Sequence, residues 1–291
     1  MQVPVRNSKG RCSIYTGGPP AGKKSSGLKS QARVSIVQGM PPARLITIGL
    51  SHYCEKARWA LDWAQVDYRE EVHAPLAHRR ATRKVGGHSV PVFASPAGVL
   101  CDSSEIVLHA DALAPAERKL LPDLENKDAR GRVLAFEDEL DETLGVDARL
   151  LVYWYNLHED ASARAMAGRM FRTQSTLARS IVAPLFRGLV FRMYGVSAES
   201  AQRAEARVRR TFAKVGDTLG DRPFLEGDRF GLADLTFASL SSILLLPEEH
   251  PFMRTGRTDP SPDFVRLAHE LRATRAGQHA LRMYREHRGR G

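Results

Sequence analysis

Between Arg44 and residue 113 the hydrophobic period changes several times over short distances. Leu45–Leu50 is a short apolar run and reads as a strand. Over Tyr53–Ala64 the residues Cys54, Ala57, Leu61 and Ala64 recur at three- and four-residue spacing. That period predicts a helix with this face buried. Tyr68–Val72 reads as a second strand, and Pro75–Lys84 as a polar, loosely packed helix or turn. Val90–Phe93 and Val99–Cys101 read as strands joined by the turn Ser95-Pro96-Ala97-Gly98, so they are expected to pair antiparallel. Ser103–Leu113 closes the series as a helix. The order β-α-β-α-β-β-α predicts an α/β domain with a mixed sheet and helices on both faces.

After Pro115 the strand pattern stops. Asp128–Tyr155 is a long helix candidate with apolar positions at Val133, Leu134, Leu140, Leu144, Leu151 and Val152. Ala161–Met193 is a second, interrupted or kinked at Pro184. Glu199–Leu219 is a third. Leu232–Leu246 is nearly all apolar, as a helix surrounded by other helices would be. Phe264–Glu286 is a last, basic helix. The expected organisation is a tail over 1–43, an α/β domain over 44–115, a linker near Ala114–Glu125, and an all-helical domain over 125–291.

Composition narrows the class. A chain of 291 residues with 43% hydrophobic content can bury a sizeable core, more naturally as two domains than one. Cys12, Cys54 and Cys101 have no metal-like or disulfide-like spacing, so no metal is expected and a reducing compartment is. The longest uncharged apolar run, Leu235–Pro247, is too short to span a bilayer. The net charge of +10 is largely a property of the tail. Residues 1–43 hold seven Lys or Arg and no acid, leaving 36 basic against 33 acidic residues in the body. That balance gives no reason to expect a nucleic-acid-binding face. The tail, rich in Gly, Pro, Ser and Lys, reads as disordered. We read Met40 as the natural start, with the upstream residues an over-extended reading frame. An organelle transit peptide and a basic tethering arm are the alternatives.

Chemistry concentrates at four points. Ser51 sits where the first strand gives way to the first helix, beside unpaired backbone N–H groups and the positive end of the helix dipole. It is either a plain N-cap or a hydroxyl placed to hold an anion such as a thiolate. In Ser89-Val90-Pro91-Val92-Phe93 the proline marks an edge or special turn. A cis Val90–Pro91 bond would free the Val90 backbone for a bound peptide. Asp102-Ser103-Ser104-Glu105 lies on a strand-to-helix junction, where Asp102 and Ser103 could hold an amino-acid head group or simply cap the helix. In Phe224–Leu235, Asp234 follows Gly231 by three residues, a capping arrangement reaching back to the loop backbone. Ser51-His52-Tyr53-Cys54 has redox Cys-x-x-Cys spacing with the first cysteine replaced, and Cys54 reads as a packed small hydrophobe.

Taken in order, Ser51 before a helix, Val90-Pro91, Asp102-Ser103 and Gly227-Asp228-x-x-Gly231-x-Ala233-Asp234 resemble the glutathione transferase superfamily over about Arg44–Tyr284. The resemblance implies a thioredoxin-like domain followed by a helical domain. It implies that Ser51 stabilises glutathione thiolate, that Val90 and Pro91 clamp the cysteinyl part, and that Asp102 and Ser103 take the γ-glutamyl end. Ser89 stands where the family often has lysine, so His88 or the cluster Arg79, Arg80, Arg83, Lys84 becomes a candidate for the glycine carboxylate. Tyr53, Tyr153, Trp154, Tyr155 and Phe171 are candidates for the electrophile pocket or for plain core, and an Arg58-centred contact with the helical domain is an equal candidate there. The expected activity is conjugation of glutathione to a hydrophobic electrophile, as in detoxification, by a cytoplasmic homodimer with glutathione as co-substrate. Organelle import through residues 1–39 is the alternative location. A glutathione-transferase-like binding or interaction module with little catalysis is the alternative function.

Overall fold

A computed structural model describes residues 42–170, 175–253 and 260–289. The expected disorder of residues 1–41 and the candidate Phe171 lie outside these residues. The α/β part runs β1 (Arg44–Thr47), α1 (His52–Trp63), β2 (Arg69–Val72), α2 (His78–Arg83), β3 (Val92–Ser95), β4 (Gly98–Leu100) and α3 (Ser103–Leu113). The sheet order is β2-β1-β3-β4. β1 pairs parallel with β2 and antiparallel with β3, and β3 pairs antiparallel with β4. β3 starts two residues later than the hydrophobic run suggests. Pro91 offers no N–H to a ladder, and pairing with β1 begins at Val92 opposite Ile46.

The helical part comprises α4 (Lys127–Glu142), α5 (Leu144–His158), α6 (Asp160–Met170), α7 (Thr176–Tyr194), α8 (Ala198–Leu219), α9 (Leu232–Leu245), α10 (Pro262–Ala273) and α11 (Arg275–His287). Every residue of α9 is buried, and it packs on α1, α4, α5, α10 and α11. The two parts therefore share one core through α1 and α9. Among the described residues no single helix is long and apolar enough to cross a membrane.

Three expected long helices are each two. The Asp128–Tyr155 pattern breaks at Thr143, whose hydroxyl donates to the Glu139 carbonyl at 2.6 Å. Two α1 side chains also reach this junction. The Tyr53 hydroxyl donates to the Asp141 carbonyl at 2.7 Å, and His52 Nε2 lies 2.8 Å from the Gly145 carbonyl. A Cβ at Gly145 would collide with the Tyr53 hydroxyl, so the sequence carries glycine where α1 presses closest. The Ala161–Met193 pattern divides before residue 176, and Pro184 lies inside α7 rather than at the break. The division lets α6 and α7 fold onto each other around Met166, Ala167, Ala183 and Phe186. The Phe264–Glu286 pattern breaks at Thr274, whose hydroxyl caps α11 by accepting from Gly277 N at 3.0 Å.

Asp234 holds the entry to α9. Its carboxylate accepts from Leu225 N at 2.9 Å and Gly231 N at 3.1 Å, and a third donor, His279 Nε2 on α11, lies 2.8 Å away. Asp234 is fully buried. Asp234→Ala would strand three buried donors, more than the single cap that the spacing alone implies. We expect a loss of about 2–3 kcal/mol in urea unfolding. Wild-type stability in this variant would contradict the assignment.

Candidate active site

The β1–α1 turn places Ser51 at the start of a helix. Ser51 N bonds the Ile48 carbonyl at 3.0 Å, and its own carbonyl accepts from Glu55 N at 2.9 Å. The Ser51 hydroxyl caps α1 by accepting from Cys54 N at a long 3.4 Å. An oxygen that accepts this bond keeps its proton free to donate elsewhere. Cys54 itself is fully buried, and burial pushes its thiol pKa up. It is packing, as its place on the apolar face implies, and its thiol is held in the neutral form.

Ser51 opens onto a cavity of about 250 Å³ between the two parts of the chain. On the α/β side the lining is Ile48, Leu50, Ser51, His52, Tyr53, His78, Ser89 and Val90. On the helical side it includes Arg149, Val152, Tyr153 and Asn156 of α5, Met166, Tyr194, Ile243, Leu246, Met253 and Phe264. His52 is neutral here. Burial, helped by the charge of Arg149, lowers its pKa to about 3. A neutral imidazole facing a carbonyl must carry its proton on Nε2, so His52 donates to Gly145. Burial also raises the pKa of Tyr53, and that of Tyr153 to about 12, so both phenols stay protonated.

The expected γ-glutamyl residues lie at the start of α3. Asp102 caps it by accepting from Ser104 N at 2.8 Å, while Ser103 is buried. Behind them lies a set of charges that sequence reasoning did not reach. Lys56 of α1 is fully buried and donates to Glu137, to Asp141 at 2.8 Å and to Ser104 at 3.3 Å. The Ser104 hydroxyl in turn lies within hydrogen-bond reach of both carboxylates, 2.5 Å from Glu137 and 3.1 Å from Asp141, and shares its one proton between them. Burial raises the Asp141 pKa to about 6 against the pull of Lys56. These contacts tie the start of α3 to α1 and α4. Val90 lies outside the β1–β3 register, at the cavity edge, and its peptide bond to Pro91 is cis.

Several candidates are placed elsewhere. Trp154 does not line the cavity; it packs against His158 and Phe191. Tyr155 points to Glu205, donating to it at 2.6 Å. One turn of helix explains both. The cavity face of α5 is centred between Val152 and Tyr153, and at about 100° per residue Trp154 and Tyr155 turn away from it. His88 is exposed and is not in the cavity lining, whereas His78 lines it. Arg58 does contact the helical part, stacking over the Phe252 ring at 4.7 Å, but outside the cavity lining. Arg149 and Asn156 were missed. Arg149, Val152, Tyr153 and Asn156 stand at i, i+3, i+4 and i+7, one helical face, so the period alone could have grouped them. Among the described residues no group of three or more His, Cys, Asp or Glu side chains could hold a metal ion.

Residues 45–118 match the family model of the glutathione S-transferase N-terminal domain. No curated protein matches the chain by sequence. Among solved structures, the beta-etherase LigF of Sphingobium sp. strain SYK-6 matches with a TM-score of 0.52 at 14% identity, over 83% of this chain and 99% of that one. A possible glutathione S-transferase from Rhodopseudomonas palustris matches with a TM-score of 0.50 at 14% identity, over 85% and 95% of the two chains. A glutathione S-transferase from Methylobacterium radiotolerans, in complex with glutathione sulfonate, has a TM-score of 0.49 and 20% identity over 82% and 94%. Residues 45–118 thus match the glutathione S-transferase N-terminal domain, and the chain shares its fold, mixed α/β sheet and helical part together, with LigF and the Rhodopseudomonas palustris protein.

Proposed function

We propose that this protein is a serine-type glutathione transferase acting on a hydrophobic electrophile. The observation that carries the reading is Ser51, a hydroxyl at the N-terminus of α1 opening on a cavity whose far wall is largely apolar. Bound glutathione would lie along the α/β side, its cysteinyl part against the Val90 backbone and its γ-glutamyl end near Asp102 and Ser103. Its sulfur would receive the Ser51 O–H and the field of the α1 N-terminus, which favours thiolate over thiol. The thiol proton leaves to solvent. The thiolate then attacks an electrophilic carbon held by the helical side, forming a C–S bond as the leaving group departs with the electrons of the bond it breaks. Holding the two reactants together supplies part of the acceleration. His78, at the cavity, replaces His88 as the imidazole nearest the glycine end in this proposal.

A second reading, a binding or interaction module, is favoured by one observation. Leu177, Ile181, Leu185, Leu189 and Met193 form an exposed apolar stripe at four-residue spacing along α7, a surface larger than scattered single residues require. Retention on immobilised glutathione together with turnover of a chlorodinitrobenzene supports the transferase reading. Retention without turnover of any electrophile in a panel would favour the module.

A further inference from the structure

Among the described residues, Arg149 is the one charged side chain lining the cavity and no carboxylate lines it. Arg149 stands over the rings of Tyr194, at 4.7 Å, and Tyr53, at 5.9 Å. No hydrogen bond or ion pair to it is found among the described residues, although neighbouring acids are engaged. Asp147 accepts from Arg207 at 2.7 Å and Asp141 from Lys56 at 2.8 Å. The two histidines of the lining cannot serve as counter-ions. A guanidinium stacked on aromatic faces keeps its in-plane N–H groups directed outward, and these suit a carboxylate bidentately.

Arg149 belongs to the helical side, on the same α5 face as Val152, Tyr153 and Asn156. The residues proposed to hold glutathione all come from the α/β side. The cation therefore faces the space left for the second substrate. We propose that Arg149 receives an anionic group on that substrate, so that the acceptor class is a hydrophobic electrophile bearing a carboxylate or sulfonate. This rests on the glutathione-transfer reading for the reaction, but the anion site itself is a property of the cavity. Apolar walls bind the body of such a molecule, and Arg149 fixes its orientation toward Ser51.

The test uses the full chain and a matched pair, a chloronitrobenzoate and the corresponding chloronitrobenzamide. In conjugation, the C–S bond forms at the chlorine-bearing carbon, the C–Cl bond breaks, chloride leaves and the thiol proton passes to solvent. Wild type is expected to prefer the benzoate, and Arg149→Met to lower the benzoate-to-benzamide ratio of kcat/KM by about 10-fold to 100-fold. Arg149→Lys should recover part of the ratio. Calorimetric binding of the two compounds without glutathione should show the same preference and the same loss. Should Arg149→Met fail to fold, the wild-type pair and the Lys variant decide. Equal affinity of wild type for acid and amide would overturn the inference. So would a rise in KM for glutathione that is the same with both acceptors, since Arg149 would then serve a carboxylate of glutathione itself. Wild type that conjugates neither compound, yet binds the benzoate in an Arg149-dependent way, would remove the transferase reading and leave the anion site standing.

Discussion

Ser51→Ala is expected to lower kcat/KM for glutathione conjugation by on the order of 10²–10³, with the fold intact. The size follows from the role proposed for the hydroxyl. Removing one preorganised donor from a developing anion costs about 2.7–4 kcal/mol where it has been measured, and Ser51 places its hydroxyl at the N-cap of α1, in the cavity lining. The structural cost is smaller. The cap bond to Cys54 N is 3.4 Å long, so its loss falls at the low end of the roughly 0.5–2 kcal/mol range for caps. Kinetics and urea unfolding on the same preparation separate the two effects. Ser51→Thr keeps the hydroxyl and should recover most of the rate. Near-normal kinetics in the Ala variant would move the thiolate contact elsewhere. Tyr53 is a poor substitute, because its hydroxyl already donates to the Asp141 carbonyl and is wedged against Gly145.

Glu55→Ala is expected to cost about 3–5 kcal/mol, the range for removing one partner of a buried charge pair. Glu55 is fully buried on α1 and meets two guanidinium groups. One carboxylate oxygen accepts from Arg58 at 2.5 Å and the other from Arg288 at 2.7 Å, with His250 at 3.7 Å. Arg58 continues to Glu70 and Arg288 to Asp62. The network thus ties α1 to β2, to the segment after α9 and to the residue that ends α11. Burial opposes ionisation of Glu55, but the charges of His250, Arg288 and Arg58 outweigh it and lower its pKa to about 2. A carboxylate whose folded pKa is depressed contributes stability above its unfolded value, 4.5 here, and loses it as pH falls toward about 2. The gap between wild type and Glu55→Ala in urea unfolding should therefore narrow by about 2 kcal/mol between pH 7 and pH 3. A variant as stable as wild type, or a gap independent of pH, would contradict this.

These networks mark the limit of what the sequence makes legible. The buried face of Cys54, Ala57, Leu61 and Ala64 follows from periodicity, and all four are buried. Asp234 reaches the loop backbone as its spacing implies. The succession of elements and the antiparallel pairing of β3 with β4 also follow, from the short runs and the turn at Ser95–Gly98. Periodicity does not reveal that charged residues off that apolar face are buried as well. Glu55, Lys56 and Arg58 are all buried, and their partners Arg288, Glu137 and Phe252 lie far along the chain. The break at Thr143 is hidden for the same reason. Tyr53 and His52, about ninety residues upstream, take up carbonyls on either side of it. For the site, chain order suffices to bring Ser51 and Val90 to one cavity. The choice of Tyr153 over Trp154 needs the phase of α5, which only packing sets.

The most direct test of the account is the pKa of the glutathione thiol when bound, followed by thiolate absorbance as pH is raised. The account predicts that the thiol titrates well below free glutathione on the wild-type protein and returns toward the free value on Ser51→Ala, with glutathione still bound. A bound thiol that titrates like free glutathione on the wild-type protein would contradict it.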